Sequence, residues 1–214
     1  MTQPEPVVEC KPVRIAIGLI QTETCIVHIE NVLGRKPVAL ALAVLLAALY
    51  LIHAGTSSIW DSNEAFYVET PREMMEHGTH LVPTFNYQPR LNKPPLAYWL
   101  VIIAYRLGGV SVWSQRMVIA AFALATLLVV WQLAFRLTAS RTAAWAAAAI
   151  TALTPRIFVM GRRSVIDMVL LFSITATIYF FHRYLEERRT RDLVWVGICL
   201  GLGFMDKGPV AVAL

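Results

Sequence analysis

Five apolar runs dominate the sequence and limit the folds that the chain can adopt. A helix needs about 20 mostly apolar residues to cross the hydrocarbon core of a bilayer. The predicted spans are residues 37–54, 112–137, 143–160, 165–184 and 193–206, the last of which only begins a span. Only 15% of the residues are charged, whereas soluble domains average about 25%. The sequence therefore predicts an all-α, polytopic transmembrane protein.

The basic residues orient these spans. The net charge of +5 does not indicate nucleic-acid binding, because the cations lie in short clusters between the apolar runs. Arg35 and Lys36 precede the first run, and Arg136, Arg141 and the segment 183–191 follow later runs. Cytoplasmic loops carry such an excess of Lys and Arg. We therefore place the N-terminus in the cytoplasm.

A sixth apolar segment, Leu96–Leu107, decides the side of every later loop. It has about half the length that a span requires, and Arg106 interrupts it. If it spans the membrane, every later loop changes side. If it lies in the interface, Arg136, Arg141 and the segment 183–191 are all cytoplasmic, as the positive-inside tendency favours. Residues 55–111 then form a large first extracytoplasmic loop with interfacial helices, and the turn 161–167 lies on the same outer face.

The domain organisation follows from this topology. Residues 1–35 are interpreted as a cytoplasmic N-terminal preamble, and residues 36–214 as the N-terminal part of a transmembrane domain. The sequence ends in the apolar GPVAVAL without a polar tail, so we expect a portion of a longer protein. The three cysteines show neither a CxxC motif nor metal-ligand spacing, so no disulfide framework or zinc site is predicted.

Charged, aromatic and proline residues crowd into the segment 59–99. Asp61 and Glu64 have the spacing of a helix cap and its third-position acid, in a short interfacial helix that Gly78 would end. The solvated face of this helix would carry Glu69, Arg72, Glu73 and Glu76. Alternatively, one of the first two acids is a general base that accepts a proton from an acceptor hydroxyl. Both interpretations are compatible, because a catalytic acid can also cap a helix.

Three basic residues are candidates for binding phosphate. Two prolines follow Lys93 and favour an extended backbone that would fix its position. Its ammonium suits a phosphate, although a lysine that snorkels to the headgroups has the same pattern. Arg162 and Arg163 offer planar forks that match phosphate oxygens.

Asp167 is the second acid of interest. Arg163 precedes it by four residues, so a local helical ion pair is the simplest explanation. A carboxylate at the mouth of a span is also a candidate catalytic group, since polar groups at membrane depth usually mark a site or pathway. Further along, Asp206 and Lys207 are adjacent and are interpreted as a pair that neutralises itself.

These motifs together resemble a known family. NEAFYVETPREMMEHG, LVPTFNYQPRLNKPPLAYW, Arg162–Asp167 and Lys207–Pro209 look like the GT-C glycosyltransferases, in particular the lipid A 4-amino-4-deoxy-L-arabinose transferases, which are related to the protein O-mannosyltransferases. The resemblance implies an integral enzyme of the bacterial inner membrane. It would transfer a sugar from a polyprenyl-phosphate-linked donor to a lipid or protein acceptor at the extracytoplasmic face.

The resemblance also implies roles for the candidate residues. The first-loop acid, Asp61 or Glu64, would position or deprotonate the acceptor, and Asp167 would be the second-loop acid. Lys93 and an arginine of the Arg162–Arg163 pair would hold the lipid phosphate. The residue before Lys93 is often acidic in relatives but is Asn92 here, so the sequence does not support a divalent metal cofactor.

A transporter or flippase of a lipid-linked substrate is the alternative, because the same charges could line a translocation path. The motifs concern the donor phosphate and the reaction centre. They therefore leave open the identity of the sugar and the choice among lipid A, protein and polysaccharide as acceptor.

Overall fold

A computed structural model describes residues 36–52, 58–59, 62–163 and 165–213. Within these residues the chain is almost entirely helical, apart from one short hairpin. The elements are α1 (Lys36–Leu51), α2 (Ser62–Glu76), β1 (Thr84–Phe85), β2 (Gln88–Pro89), α3 (Leu96–Gly108), α4 (Val112–Thr138), α5 (Arg141–Leu153), α6 (Pro155–Arg163), α7 (Val165–Glu187), α8 (Thr190–Lys207) and α9 (Val210–Ala213).

Length and composition identify the helices that can cross a membrane. Among the described residues, α4 and the segment Ile166–Glu187 of α7 are long and apolar enough to do so alone. The pair α5–α6 meets the same criteria jointly, with a bend of 67° between its halves. Helices α1 and α3 are apolar but shorter. The predicted all-α, membrane-embedded fold is confirmed.

The third apolar run is not one continuous helix, in contrast to the predicted span 143–160. Proline has no backbone N–H and disfavours helical geometry in the residue before it. Thr154 accordingly has a ψ of 120°, and α6 begins at Pro155. Pro155 therefore causes the break, which the average hydropathy of residues 143–160 does not reveal.

Tight turns connect the long helices. Ser111 and Ser140 cap the N-termini of α4 and α5 by accepting hydrogen bonds from the backbone N–H of Ser114 and Ala143. Such caps satisfy donors that the first turn of a helix leaves unpaired. Ala139 and Arg188, both with φ of 53°, reverse the chain after α4 and α7.

Helix α4 is the centre of the bundle and contacts α1, α2, α3, α5, α6 and α7. Small residues bring the helices close together, as is common in membranes. Ala120 and Ala123 of α4 and Ala152 of α5 are buried. Gly161 of α6 leaves room for the ring of Tyr50, which a methyl group there would strike. The Tyr50 hydroxyl donates to the Ala152 carbonyl at 3.1 Å.

The first loop is folded and packed onto this bundle. The hydroxyl group of Tyr105 in α3 donates a hydrogen bond to the Val68 carbonyl of α2 at 2.9 Å. Helix α3 has 13 residues, which corresponds to about 20 Å, less than the roughly 30 Å of a hydrocarbon core. Its length agrees with the interfacial position expected for this segment.

The structure tests two predictions about α2, the position where it ends and its solvated face. The helix ends at Glu76, and Gly78 follows with φ of +65°, so the predicted terminator is confirmed. Glu73, however, is fully buried and accepts a hydrogen bond from the backbone N–H of Tyr87 at 3.1 Å. The prediction that Glu73 is solvated is wrong, because the β1–β2 hairpin folds back over this side of the helix.

Candidate functional site

The candidate site lies where the beginning of α7, the end of α8 and the segment before α3 meet. Lys207 at the end of α8 donates from Nζ to Asp167 Oδ1 near the start of α7, at 2.7 Å. Both side chains are partly exposed, at 30% and 26%. The pair can therefore be reached from outside the bundle.

Lys93, in the segment before α3, belongs to the same electrostatic cluster. It is exposed and forms no ion pair with any other described residue. The charges of Lys93, Asp167 and Lys207 all act on the carboxyl group of Asp206. Residues from two distant parts of the sequence thus share one electrostatic environment.

Asp206 is the most unusual side chain of the cluster. It is completely buried, and neither carboxylate oxygen has a hydrogen-bond partner among the described residues. A buried polar group without a partner is costly. The interpretation of Asp206 and Lys207 as a self-neutralising pair is wrong, because Lys207 at the C-terminal end of α8 reaches across to α7 instead.

Tyr67 of α2 lies beside these carboxylates. It is 7% exposed, and its ring stacks on that of Tyr98 with centroids 5.4 Å apart. Burial raises the pKa of the Tyr67 phenol far above its ordinary value, and Tyr98, Asp206 and Asp167 raise it further, whereas Arg90 opposes the rise. Tyr67 therefore stays a neutral hydroxyl at the edge of the site.

Glu64 is in a different environment from Asp167. Its Oε1 accepts from Arg116 Nε at 2.7 Å, and both side chains are 2% exposed. The same guanidinium donates from Nη2 to the Ser58 carbonyl at 3.1 Å. Glu64 is therefore held in a closed ion pair between α2 and α4. Asp61, the other candidate for the first-loop acid, lies outside the described residues.

The two arginines of the 161–167 turn have different surroundings. Arg162 donates from Nη2 to the Ile52 carbonyl at 2.8 Å, beyond the end of α1, and its guanidinium lies 5.4 Å from the Phe158 ring centroid. It thus satisfies a carbonyl that the helix leaves unpaired. Arg163 is partly buried.

Sequence reasoning missed Arg116, Arg90 and Tyr67. Arg116 interrupts the apolar pattern of α4, and a charge inside a span is the signal that could have identified it. Arg90 stacks over the Phe66 ring, with its guanidinium carbon 3.2 Å from the centroid. Nothing in the local sequence indicates the position of Tyr67 beside two acids.

An apolar cavity lies apart from this cluster. Its volume is about 470 Å³, and its lining is formed by Ala39–Ala47 of α1, Leu124–Trp131 of α4 and two residues of α5. No group of three or more His, Cys, Asp or Glu side chains suited to a metal ion occurs in the part of the chain that the structure describes.

The cluster combines features that suit a reaction at a phosphate-linked carbon. Lys93 supplies an exposed positive charge, and Asp167 supplies a reachable carboxylate that Lys207 orients. A cation stabilises negative charge that develops on a leaving phosphate. A carboxylate accepts a proton or orients a hydroxyl group.

Comparisons with known proteins agree with this architecture. The chain is 30% identical over 167 residues to an uncharacterised protein of Aquifex aeolicus, covering 78% of this chain and 33% of that protein. It is 33% identical over 178 residues to an undecaprenyl phosphate-alpha-4-amino-4-deoxy-L-arabinose arabinosyl transferase of Pectobacterium atrosepticum, covering 81% and 32%. The chain therefore spans about a third of the length of these relatives.

A solved structure and a family model complete the comparison. The crystal structure of ArnT from Cupriavidus metallidurans bound to undecaprenyl phosphate superposes with a TM-score of 0.73 at 21% identity. It covers 84% of this chain and 34% of the other, and it supports the fold. The model of the dolichyl-phosphate-mannose-protein mannosyltransferase family matches residues 92–214, more than half of the sequence. The chain belongs to this family.

Proposed function

We propose that the protein is a membrane glycosyltransferase, or a part of one, that uses a polyprenyl-phosphate-linked sugar as donor. The observation that carries the proposal is the reachable Asp167–Lys207 pair, which shares with the exposed Lys93 an electrostatic influence on the carboxyl group of Asp206. Membership of the mannosyltransferase family and the names of the arabinosyl transferase relatives support it. Transfer takes place at the extracytoplasmic membrane face.

The proposed reaction is a displacement at the anomeric carbon of the sugar. The acceptor hydroxyl oxygen forms a bond to this carbon while the bond from the carbon to the phosphate oxygen breaks. The bonding electron pair remains on the polyprenyl phosphate, and the hydroxyl proton passes to a carboxylate of the protein. Lys93 binds the phosphate as its negative charge increases, with Arg163 as the second cation of the proposed site.

The environment of the acids favours a division of roles. Glu64 is closed inside its ion pair with Arg116, so Asp61 is the better candidate for the first-loop base. Asp167, which is reachable and oriented by Lys207, holds or orients a substrate hydroxyl group. Arg162 already donates to α1 carbonyls, and its predicted contact with phosphate would require those bonds to be exchanged.

The proposal also extends to partners and location. The donor is an undecaprenyl-phosphate-type lipid carrying a sugar, and the acceptor is a lipid such as lipid A or a protein. The enzyme lies in a bacterial inner membrane with its N-terminus in the cytoplasm. A membrane setting follows from the candidate spans α4 and α7.

The decisive experiment uses the full-length gene product purified in detergent. It is incubated with undecaprenyl-phosphate-linked sugars and candidate acceptors, and mass spectrometry follows the release of undecaprenyl phosphate and the glycosylated product. The wild type should form product, Asp167→Asn should not, and Arg136→Gln, a surface variant at the other end of α4, should match the wild type.

The same experiment separates the proposal from lipid transport. Transport requires a sealed membrane, whereas glycosyl transfer proceeds in detergent. Failure to form product with every donor, combined with movement of a fluorescent lipid-linked sugar across proteoliposomes, would replace the glycosyltransferase by a transporter.

A further inference from the structure

Arg90, in the segment between β2 and α3, is a cation that the proposed reaction does not use. Its guanidinium carbon lies 3.2 Å from the centroid of the Phe66 ring and 5.8 Å from that of the Phe85 ring. The face of an aromatic ring attracts a cation at such distances. Because one ring belongs to α2 and the other to β1, the two contacts fix the position of the guanidinium.

The aromatic rings leave the hydrogen-bond donors of Arg90 unused. A guanidinium has five N–H donors and no acceptor. Nε of Arg90 is buried without a partner, and the side chain forms neither a hydrogen bond nor an ion pair with any residue that the structure describes. Arg72 of the same loop, in contrast, donates to both Glu69 and Glu76. Arg90 is therefore held in place with its donors available to a ligand.

Arg90 also belongs to the electrostatic cluster of the candidate site. Its charge acts on the phenol groups of Tyr67 and Tyr98. The carboxyl groups of Asp167 and Asp206 act on Tyr67 as well. The guanidinium thus lies within electrostatic reach of the tyrosine at the edge of the site.

Lys93 follows Arg90 by only three residues. Three residues of chain span at most about 10 Å, and both side chains are long. Neither forms an ion pair with any other residue of the described ranges. Two neighbouring cations without carboxylate partners favour an anion between them. A phosphate group fits this pair, because arginine offers a planar fork for two oxygens and lysine a compact charge.

We infer that Arg90 and Lys93 bind one phosphate group together, and that the Phe66 ring holds the Arg90 guanidinium ready for it. The assignment of this phosphate to the leaving polyprenyl phosphate rests on the proposed glycosyltransferase function, whereas the binding of a phosphate does not. The headgroup of an anionic phospholipid offers the same chemistry, so the test includes both kinds of lipid.

The first test measures the Kd of undecaprenyl phosphate for the full-length protein in neutral detergent, by microscale thermophoresis. Arg90→Met keeps an apolar chain over the Phe66 ring but removes the charge, and its Kd should rise about 10–100-fold, as expected for a lost charge-assisted contact. Arg90→Lys keeps the charge but loses the fork, and its Kd should rise less. Arg106→Gln removes an exposed arginine at the end of α3 and should bind as tightly as the wild type.

Undecaprenol, which lacks the phosphate, separates anion binding from a purely structural role of Arg90. Loss of a phosphate contact weakens the binding of undecaprenyl phosphate and leaves that of undecaprenol unchanged. Loosening of the loop weakens the binding of both lipids. If Arg90→Met does not fold, Arg90→Lys provides the same comparison.

A double variant tests whether Arg90 and Lys93 share one phosphate. Residues that bind the same group have coupled effects, whereas independent residues have additive free energies. The fold-increases in Kd of Arg90→Met and Lys93→Gln should therefore not multiply in the double variant. Fold-increases that multiply would place the two cations on separate groups and overturn the shared site.

The remaining outcomes separate this inference from the proposed function. Wild-type affinity for undecaprenyl phosphate in both Arg90 variants overturns the inference, and so does an equal loss of affinity for undecaprenol. Displacement of undecaprenyl phosphate by an equal concentration of phosphatidylglycerol overturns the assignment to the polyprenyl carrier. A wild-type protein that binds undecaprenyl phosphate but forms no transfer product refutes the proposed function and leaves the phosphate site in place.

Discussion

Two ion pairs with the same 2.7 Å separation of nitrogen and oxygen occupy opposite kinds of environment. Glu64–Arg116 joins the first loop to α4 with both side chains 2% exposed. Asp167–Lys207 joins α7 to α8 with its side chains 26% and 30% exposed. Distance alone does not distinguish them, whereas burial and surroundings do.

Under the proposed function, this difference favours a structural role for the closed pair and a reactive role for the open pair. In the closed pair the carboxylate is directed at a guanidinium that is itself shared with a backbone carbonyl. The charges of the open pair and of the exposed Lys93 act on the buried carboxyl group of Asp206, which has no hydrogen-bond partner in the part of the chain that the structure describes. Charge that is accessible is available to a substrate, so the chemistry is expected at Asp167 rather than at Glu64.

Asp167→Asn should have the largest effect on catalysis. We expect sugar transfer to fall about 10²–10⁴-fold, the usual contribution of a positioned acid or base, while the unfolding midpoint in detergent changes little. Product formation by mass spectrometry and thermal unfolding measure the two quantities. Glu186→Gln, which replaces an exposed acid on the same helix, is the control. Normal transfer by Asp167→Asn would remove this residue from the site.

Glu64→Ala should have the largest effect on stability. Removing one partner of a buried ion pair is strongly destabilising and costs about 3–5 kcal/mol. Lys207→Ala removes the partly exposed pair, and the loss of that ion pair should cost only about 0–1 kcal/mol. Chemical denaturation in a fixed detergent compares the two variants. Equal losses of stability would abolish the distinction between the closed pair and the open pair.

Lys93→Gln should weaken donor binding without unfolding the protein. Charge-assisted bonds to phosphate contribute about 1.5–3 kcal/mol, so we expect the KM for the polyprenyl-linked donor to rise about 10–100-fold. Lys36→Gln at the start of α1 is a control far along the chain. A donor KM that stays unchanged in Lys93→Gln would mean that the lysine merely extends towards the headgroups.

Arg72→Gln on α2 should have the smallest effect. The Arg72 guanidinium donates to Glu69 and holds the pKa of that carboxyl below its ordinary value. The pair therefore stabilises the fold above the ordinary pKa of Glu, and this stabilisation disappears as the pH falls through the lowered value. Because both side chains are solvent-exposed to about a third, water screens the pair and the loss of stability at pH 7 should be small. Denaturation at pH 7 and pH 3 tests whether the difference vanishes in acid.

Hydrophobic pattern and local signals were sufficient for most of the fold. The lengths of the apolar runs predicted α4 and α7 as spanning candidates, and the apolar segment Leu96–Leu107 corresponds to the shorter helix α3. Gly78 follows the end of α2 as predicted. Its backbone has a positive φ, a conformation that favours glycine after a helix. These features depend on neighbours in the sequence, so a single chain is enough to infer them.

Features that depend on distant partners were not predictable in the same way. The sequence did not indicate the ion pair of Arg116, since its partner Glu64 lies 52 residues away. Glu73 was predicted to be solvated, but the β1–β2 hairpin covers it. Lys207 was predicted to pair with Asp206, but it forms its ion pair with Asp167 of α7. Pro155 is a helix-breaking residue that the sequence shows directly, but the high hydropathy of residues 143–160 favoured one continuous span.

The bond from Arg162 to the Ile52 carbonyl has a consequence for biosynthesis. The two residues are 110 positions apart, and at roughly 5–20 residues per second a ribosome needs on the order of ten seconds to synthesise the intervening chain. During this interval Arg162 is not yet available to the Ile52 carbonyl, a group that lipid tails cannot satisfy. The hydrogen bond between the first helix and Arg162 can therefore form only after the third apolar segment has been synthesised.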